Sequence, residues 1–229
     1  MSELIAGLTT KRRGAATGGA DSLVVFLHGY GADAADLIGL ADPLAPHLSG
    51  TMFLAPDAPE RCRNNPMGFQ WFPIPWLDGT PEAAAEAGAH AAFQALNGWL
   101  DAVALETGIG PERTILLGFS QGTMMALHVG LRRHAALAGI VGFSGRLLRP
   151  ETLAAEIASR PPVLLIHGDA DPVVPFASLK EAADTLVTNG VETYAHVSRG
   201  TAHGIAPDGL GVALSFIRDR FGPGAGPAS

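Results

Sequence analysis

The sequence predicts an α/β fold, a mostly parallel central sheet with helices on both faces. Three observations carry this. Short runs of Val, Ile and Leu recur along the chain, too continuously apolar for a strand with one wet face. Longer stretches of helical patterning separate them, as crossovers between parallel strands require. The 229 residues, 47% hydrophobic and 16% charged, suffice for one substantial core, and no linker or internal repeat divides them. One domain over residues 1–221 is expected.

The elements follow in order. "SLVVFLHG" (22–29) reads as a buried strand, and "DAADLIGLADPLAPHL" (33–48) as a helical stretch interrupted by Pro43 and Pro46. "TMFLAP" (51–56) is a second strand. Residues 57–80, rich in Pro and aromatics, have no clean period, and segments of this kind are usually functional or mobile. Thr80 is expected to cap a helix that begins with Pro81 and Glu82 and ends near Glu106, before Gly108 and Gly110. "RTILLGF" is a strand, followed by a helix from about Gln121 to Arg133. "LAGIVGFS" (137–144), "PPVLLIHG" (161–168) and "VETYAHV" (191–197) are further strands, with helical stretches near 150–158, 176–188 and 208–220. The tail "GPGAGPAS" (222–229) is expected to be disordered.

Composition excludes several function classes. A net charge of −7 argues against a nucleic-acid partner, and the triplet Lys11-Arg12-Arg13 reads as solvated surface. The single cysteine, Cys62, excludes an internal disulfide and any multi-cysteine metal site, and fits a reducing compartment. The opening "MSELIAGLTTKRRGAATGGA" lacks the apolar core of a secretory leader. No run approaches the roughly 18 apolar residues of a membrane span. A cytoplasmic protein is expected.

Ligands of open parallel sheets bind beyond the carboxyl ends of the strands, which turns those ends into a list of candidates. Ser120 stands between Gly118 and Gly122 where "TILLGF" gives way to a helical pattern. Two glycines permit a sharp turn that projects the serine, and the Gln121 amide then opens a helix where an anion is stabilised. Ser144, in "VGFSGR", also ends a strand. It lacks the second glycine and an immediate helix, and reads as a loop residue.

A serine nucleophile needs a base. Of eight histidines, His47, His90, His128 and His134 fall in helical or loop stretches that look exposed or half-buried, and His196 falls inside the last strand. His28 and His167 precede glycines at strand ends, where a backbone-shaping role fits better. His203, on the glycine-flanked loop "SRGTAHGIAPDG", is the candidate base. "HGDADPVVP" supplies two carboxylates; Asp171 is the candidate orienting acid, and Asp169 reads as a turn or cap residue. A metal-binding reading of these two aspartates has no matching cluster of ligands. The order Ser120, Asp171, His203 is that of the α/β-hydrolase arrangement. There the His28-Gly29-Tyr30-Gly31 turn offers the second oxyanion donor, the Tyr30 amide, beside that of Gln121. Gly29-Tyr30-Gly31-Ala32-Asp33-Ala34 also fits a weak dinucleotide fingerprint, with Asp57 as ribose acid. That reading leaves Ser120, Asp171 and His203 without a joint explanation.

With these residues in place, the chain resembles the phospholipase/carboxylesterase family of α/β-hydrolases, which includes bacterial carboxylesterases and acyl-protein thioesterases. The match rests on "FLHGYGADAADLIGLA", "GFSQGTMMALH", "HGDADPVVP" and "AHGI", and covers roughly residues 20 to 220. The resemblance implies a compact hydrolase with no large cap domain, no cofactor and no metal, acting on carboxylic esters or thioesters. It supports Ser120 as nucleophile, Asp171 as orienting acid, His203 as base, and the amides of Tyr30 and Gln121 as oxyanion donors. Eukaryotic thioesterase members tend to carry an acidic residue after a Trp-Phe pair; here "QWFPI" places Pro73 there. The 57–79 segment is more similar to the bacterial esterase branch.

The expected activity is therefore hydrolysis of a small-molecule ester of short to medium chain, with lysophospholipase or acyl-protein thioesterase activity as the alternative. A non-catalytic binding protein on a hydrolase fold is the alternative of another class. Trp71 and Phe72 are candidate substrate contacts, in a segment that is a lid, a pocket wall or ordinary packing. Exposed apolar residues there would serve a homodimer equally well.

Overall fold

A computed structural model of the chain describes residues 2–15 and 19–222. An eight-stranded sheet runs through it in the order β1-β2-β4-β3-β7-β8-β9-β10. Its strands are β1 (Ser2–Ile5), β2 (Leu8–Gly14), β3 (Ser22–Leu27), β4 (Thr51–Pro56), β7 (Thr114–Phe119), β8 (Gly139–Phe143), β9 (Val163–Gly168) and β10 (Thr193–Ser198). From β4 to β10 all neighbours are parallel, whereas β1 and β2 join antiparallel at one edge. β5 (Glu60–Arg61) and β6 (Phe69–Gln70) form a separate small hairpin.

Residues alternate across the sheet, and two cores result. Leu23, Val25 and Leu27 of β3 join a cluster with α4 (Glu82–Thr107), α5 (Gln121–Arg132) and α7 (Ala177–Thr188). Val24 and Phe26 join a second cluster on the opposite face with α1 (Ala34–Ile38), α2 (Ala41–Leu44) and α8 (Pro207–Phe221). Two single-turn helices, α3 (Pro75–Asp78) and α6 (Leu153–Glu156), complete the set. The α/β-hydrolase fold expected from the sequence is present, with helices on both faces and no large cap among the described residues.

Several local expectations are corrected. The edge hairpin β1–β2 carries little sequence signal, because its strands are half polar and its Ala6-Gly7 turn puts a non-glycine at positive φ (44°). Arg12 is not simply solvated: it bridges Glu3 (2.8 Å) and Glu106 (2.9 Å), tying the hairpin to the end of α4. Thr80 does not cap α4; the N-cap is Pro81, with no side-chain cap bond. The segment 57–80 holds β5, β6 and α3 rather than no regular structure. The tail expected to be disordered lies outside the described residues beyond Gly222.

Trp99 of α4 is wholly buried, and its indole N–H donates to Thr10 Oγ1 at 3.0 Å, so the long helix is bolted to the edge hairpin through the core. Trp99→Ala should lower the unfolding free energy by about 3–5 kcal/mol. Urea titration measures this, and a loss under about 1 kcal/mol would contradict so central a packing role.

Candidate active site

β7 ends at Phe119, and α5 starts at Gln121. Between them Ser120 holds φ 55° and ψ −115°, a conformation costly for any residue with a Cβ. Sterics explain its neighbours. A Cβ on Gly118 would lie 2.4 Å from the Gly122 carbonyl, and one on Gly122 would lie 1.8 Å from the Leu27 oxygen. Only glycines let the first turn of α5 press against the ends of β3 and β7 at once. The strained turn is pinned by the Ser120 N–H donating to Phe143 O (2.9 Å). The Thr123 hydroxyl also lies 2.8 Å from the Gly118 and Phe143 oxygens.

The His28-Gly29-Tyr30 turn leans on this elbow; a Cβ on Gly29 would stand 3.4 Å from Ser120 Cβ. His28 is fully buried and shapes the backbone, as its place before a glycine suggests. Its Nε2 accepts from the Ala58 N–H (2.9 Å), so Nδ1 carries the proton and donates to Gly29 O (2.8 Å). Burial keeps its pKa below the usual imidazole value. The Tyr30 amide donates to no described residue, and the Gln121 amide opens α5, where first-turn N–H groups have no intrahelical acceptor.

The Gln121 side chain has a part that the sequence did not reveal. Its Oε1 accepts from the Trp71 N–H (2.9 Å) and its Nε2 donates to Phe72 O (2.8 Å). Trp71 in turn donates its indole N–H to His28 O (3.0 Å). The 71–72 backbone is thus clipped to the elbow and to the neighbouring turn. Trp71 itself has no exposed surface, so in this structure it packs beneath the site and does not line a pocket. Phe72 does border a cleft of about 280 Å³, with Ile74, Trp76, Ala89, Phe93 and Arg146 among its walls.

Asp171 follows β9 with its carboxylate side chain fully shielded. Oδ1 accepts from the amides of Val173 (2.8 Å) and Val174 (3.0 Å), and Oδ2 from His203 Nδ1 (2.8 Å). Burial alone would raise its pKa, but the bonds from His203 and the two amides outweigh it, and the net direction is down. With Nδ1 engaged, His203 Nε2 has no hydrogen-bond partner among the described residues. Its ring packs 4.9 Å from that of Phe119, the residue before Ser120, which sets it beside the elbow. Gly168 makes the approach possible: a Cβ there would lie 2.2 Å from Thr201 O, so the two loops meet backbone to backbone. His167 presents Nε2–H to Val174 O (3.0 Å) and Asp171 Oδ2 (3.3 Å), bracing the acid's loop.

The other candidates fall as follows. Asp169 accepts from the Gly200 N–H (2.6 Å), a bond between two loops distant in sequence rather than the local turn or cap bond expected. Ser144 is buried at φ 48°, its hydroxyl without a hydrogen-bond partner among the described residues. His196 is tied to Asp208 (2.9 Å). His128 is buried rather than exposed, stacked 3.6 Å from Phe93; burial, then Arg132, drives its pKa to about 3. Among the described residues no group of three His, Cys, Asp or Glu side chains converges as a metal site, and no helix is long and apolar enough to cross a membrane.

A family model described as phospholipase/carboxylesterase matches residues 15–220. The crystal structure of esterase PE8 is 47% identical, with a TM-score of 0.87 over 93% of this chain and 98% of its own. Acyl-protein thioesterase 1 of Saccharomyces cerevisiae is 30% identical over 85% of this chain and 91% of that protein. Esterase YpfH of Escherichia coli is 26% identical over 87% and 83%.

Two expectations follow from the geometry. Gln121→Ala keeps the backbone amide but loses both clips, so kcat should fall about tenfold or more as the 71–72 segment drifts. Gln121→Glu keeps the acceptor for the Trp71 N–H but turns a buried carboxylate oxygen onto the Phe72 carbonyl, so it should lose at least as much; equal activity in all three proteins would show that the clip does not hold the site. Second, because the folded pKa of Asp171 is depressed, its stabilisation is present above the unfolded carboxylate value and is lost as pH falls through the folded one. The advantage of wild type over Asp171→Asn in urea should therefore persist down to about pH 4 and shrink below it. An advantage that first disappears on the alkaline side would reverse the assigned sign.

Proposed function

The chain belongs to the phospholipase/carboxylesterase family of hydrolases, and from that premise we propose that it cleaves carboxylic esters of short to medium chain through an acyl-serine intermediate. The observation that carries this is the partly buried Asp171–His203 bond (2.8 Å) beside the strained Ser120 elbow. Ser120 Oγ attacks the ester carbonyl while His203 Nε2 takes its proton, and Asp171 steadies the imidazolium. The amides of Tyr30 and Gln121 hold the tetrahedral oxyanion, an interaction worth about 3 kcal/mol per donor in such sites. The alcohol leaves with the proton from His203 Nε2. Water, deprotonated by the same nitrogen, then attacks the acyl-enzyme and frees Ser120.

A thioester reading keeps the same residues and steps with a thiol as leaving group. It is favoured by the likeness to the yeast protein named acyl-protein thioesterase 1. Oxygen esters are the preferred reading because the more similar solved structure is an esterase. A non-catalytic role would leave a strained serine, a buried acid and a half-exposed base without a use.

The test is kcat/KM on para-nitrophenyl esters from acetyl to palmitoyl, with matched thioesters. We expect a maximum at short to medium chains, loss to background in Ser120→Ala, and a fall of about 10⁴ in Asp171→Asn, where the imidazole loses its oriented tautomer. Asp171, whose pKa is held low, stays ionised through the neutral range and contributes no titration to the activity there. Turnover unchanged in Ser120→Ala would overturn the acyl-serine mechanism.

A further inference from the structure

The cleft beside Phe72 carries a cation that its own walls leave unneutralised. Arg149 and Glu86, which face each other across it, are joined at 2.5 Å and cancel. Glu82 lies exposed in the first turn of α4, where the helix N-terminus offsets a negative charge. Arg146 remains. Among the described residues no carboxylate comes within ion-pair distance of it, and its guanidinium carbon sits 5.4 Å from the centre of the Trp76 ring. Trp76, on α3, is 74% exposed.

Stacking of this kind occupies the face of a guanidinium and leaves its edge N–H donors free, in a fork that matches a carboxylate. Arg146 is also anchored close to the reaction centre. The preceding residue, Gly145, is pressed on the elbow: a Cβ there would lie 3.1 Å from Ser120 O and 2.4 Å from Thr123 Cβ. The side chain therefore starts one residue from that contact and reaches Trp76 on α3, lining the cleft that Phe72 borders. Between its two ends the walls are apolar, contributed by Ile74, Ala85, Ala89 and Leu148.

We propose that Arg146, held on Trp76, is a specificity-determining residue that selects esters whose acyl chain ends in a carboxylate. The ester carbonyl lies at Ser120, the methylene chain fills the apolar cleft, and the distal carboxylate takes the guanidinium edge as a bidentate, charge-assisted pair. A dianionic phosphate fits less well, because a single free cation faces it and Glu82 and Glu86 stand nearby. This inference rests on the hydrolase reading above.

The experiment compares para-nitrophenyl hydrogen adipate and suberate with the neutral hexanoate and octanoate, in wild type, Arg146→Gln, Arg146→Lys and Trp76→Ala. Arg146→Gln should lose about tenfold in kcat/KM on the carboxylate-ended esters and keep its rate on the neutral ones. Arg146→Lys, with charge but no fork, should recover part of the loss, and Trp76→Ala should show a smaller loss of the same selectivity. Equal losses on both ester classes, or none on either, would overturn the proposal. Binding is read separately by calorimetric titration of Ser120→Ala with monomethyl suberate and methyl octanoate. The carboxylate-ended ester should bind more tightly, by a margin that Ser120→Ala with Arg146→Gln abolishes. Absence of that margin would also overturn it. Neutral-ester turnover that Ser120→Ala abolishes supports the serine-hydrolase reading independently, so failure of the subsite is distinguishable from failure of that reading.

Discussion

The closeness of α5 to the sheet edge is the constraint on which the remaining geometry depends. A side chain at 122 would collide with the Leu27 carbonyl at 1.8 Å, and one at 118 with the Gly122 backbone at 2.4 Å. Bringing the helix in so tightly forces Ser120 to φ 55°, a strain of roughly 1–3 kcal/mol. The turn is kept there by backbone bonds from Ser120 to Phe143 and from Met124 to Ser120, and by the Thr123 hydroxyl. At about 1 kcal/mol each these bonds are of the same order as the strain. The strain is useful because the same approach lays the end of β3, and so the Gly29-Tyr30 turn, against the serine.

From that contact the polar network spreads outward. His28, Trp71 and Gln121 connect three segments distant in sequence through bonds of 2.8–3.0 Å, each between a side chain and a backbone group. Backbone partners matter here, since an oxyanion held by amides is only as well placed as the chain that carries them. Removing one member would leave buried donors or acceptors unpaired, which costs more than the bond itself contributed. The loop from 57 to 79 is therefore coupled to the elbow at its inner end, whereas its outer residues Met67, Trp76 and Leu77 stay exposed.

The parallel sheet and the strand-end positions of Ser120, Asp171 and the His203 loop were legible because buried parallel strands announce themselves as unbroken apolar runs. The pairing of Asp171 with His203 follows from chain order once that sheet is assumed. Other features were hidden for physical reasons. The β1–β2 hairpin reads as a mixed polar stretch because its strands are only half buried, and its turn puts Ala6 rather than Asn, Asp or Gly before Gly7, which weakens the hairpin signal. Trp71 looks like a pocket aromatic in sequence, since nothing local reveals that its indole donates inward to His28 O. His128 looks like a helix-surface residue until α4 is packed against it and Phe93 covers its ring. Each of these depends on a contact between segments far apart in the chain.

The two ionisable partners of the site differ in a way that the loops explain. Asp171 is sealed from solvent and saturated with donors, so its charge is permanent over the range in which an imidazole titrates. His203 keeps 18% of its side chain exposed and spends one nitrogen on the acid, which leaves the other unbonded among the described residues, as the proposed base requires. Had the acid been the exposed partner, solvent would have screened the pair and loosened the ring. Had the base been sealed as His128 is, with its pKa driven to about 3, it would hold a proton too weakly to pass it on. Gly168 bears on both partners, because the close backbone approach to Thr201 that it permits holds their two loops together at the edge of the sheet.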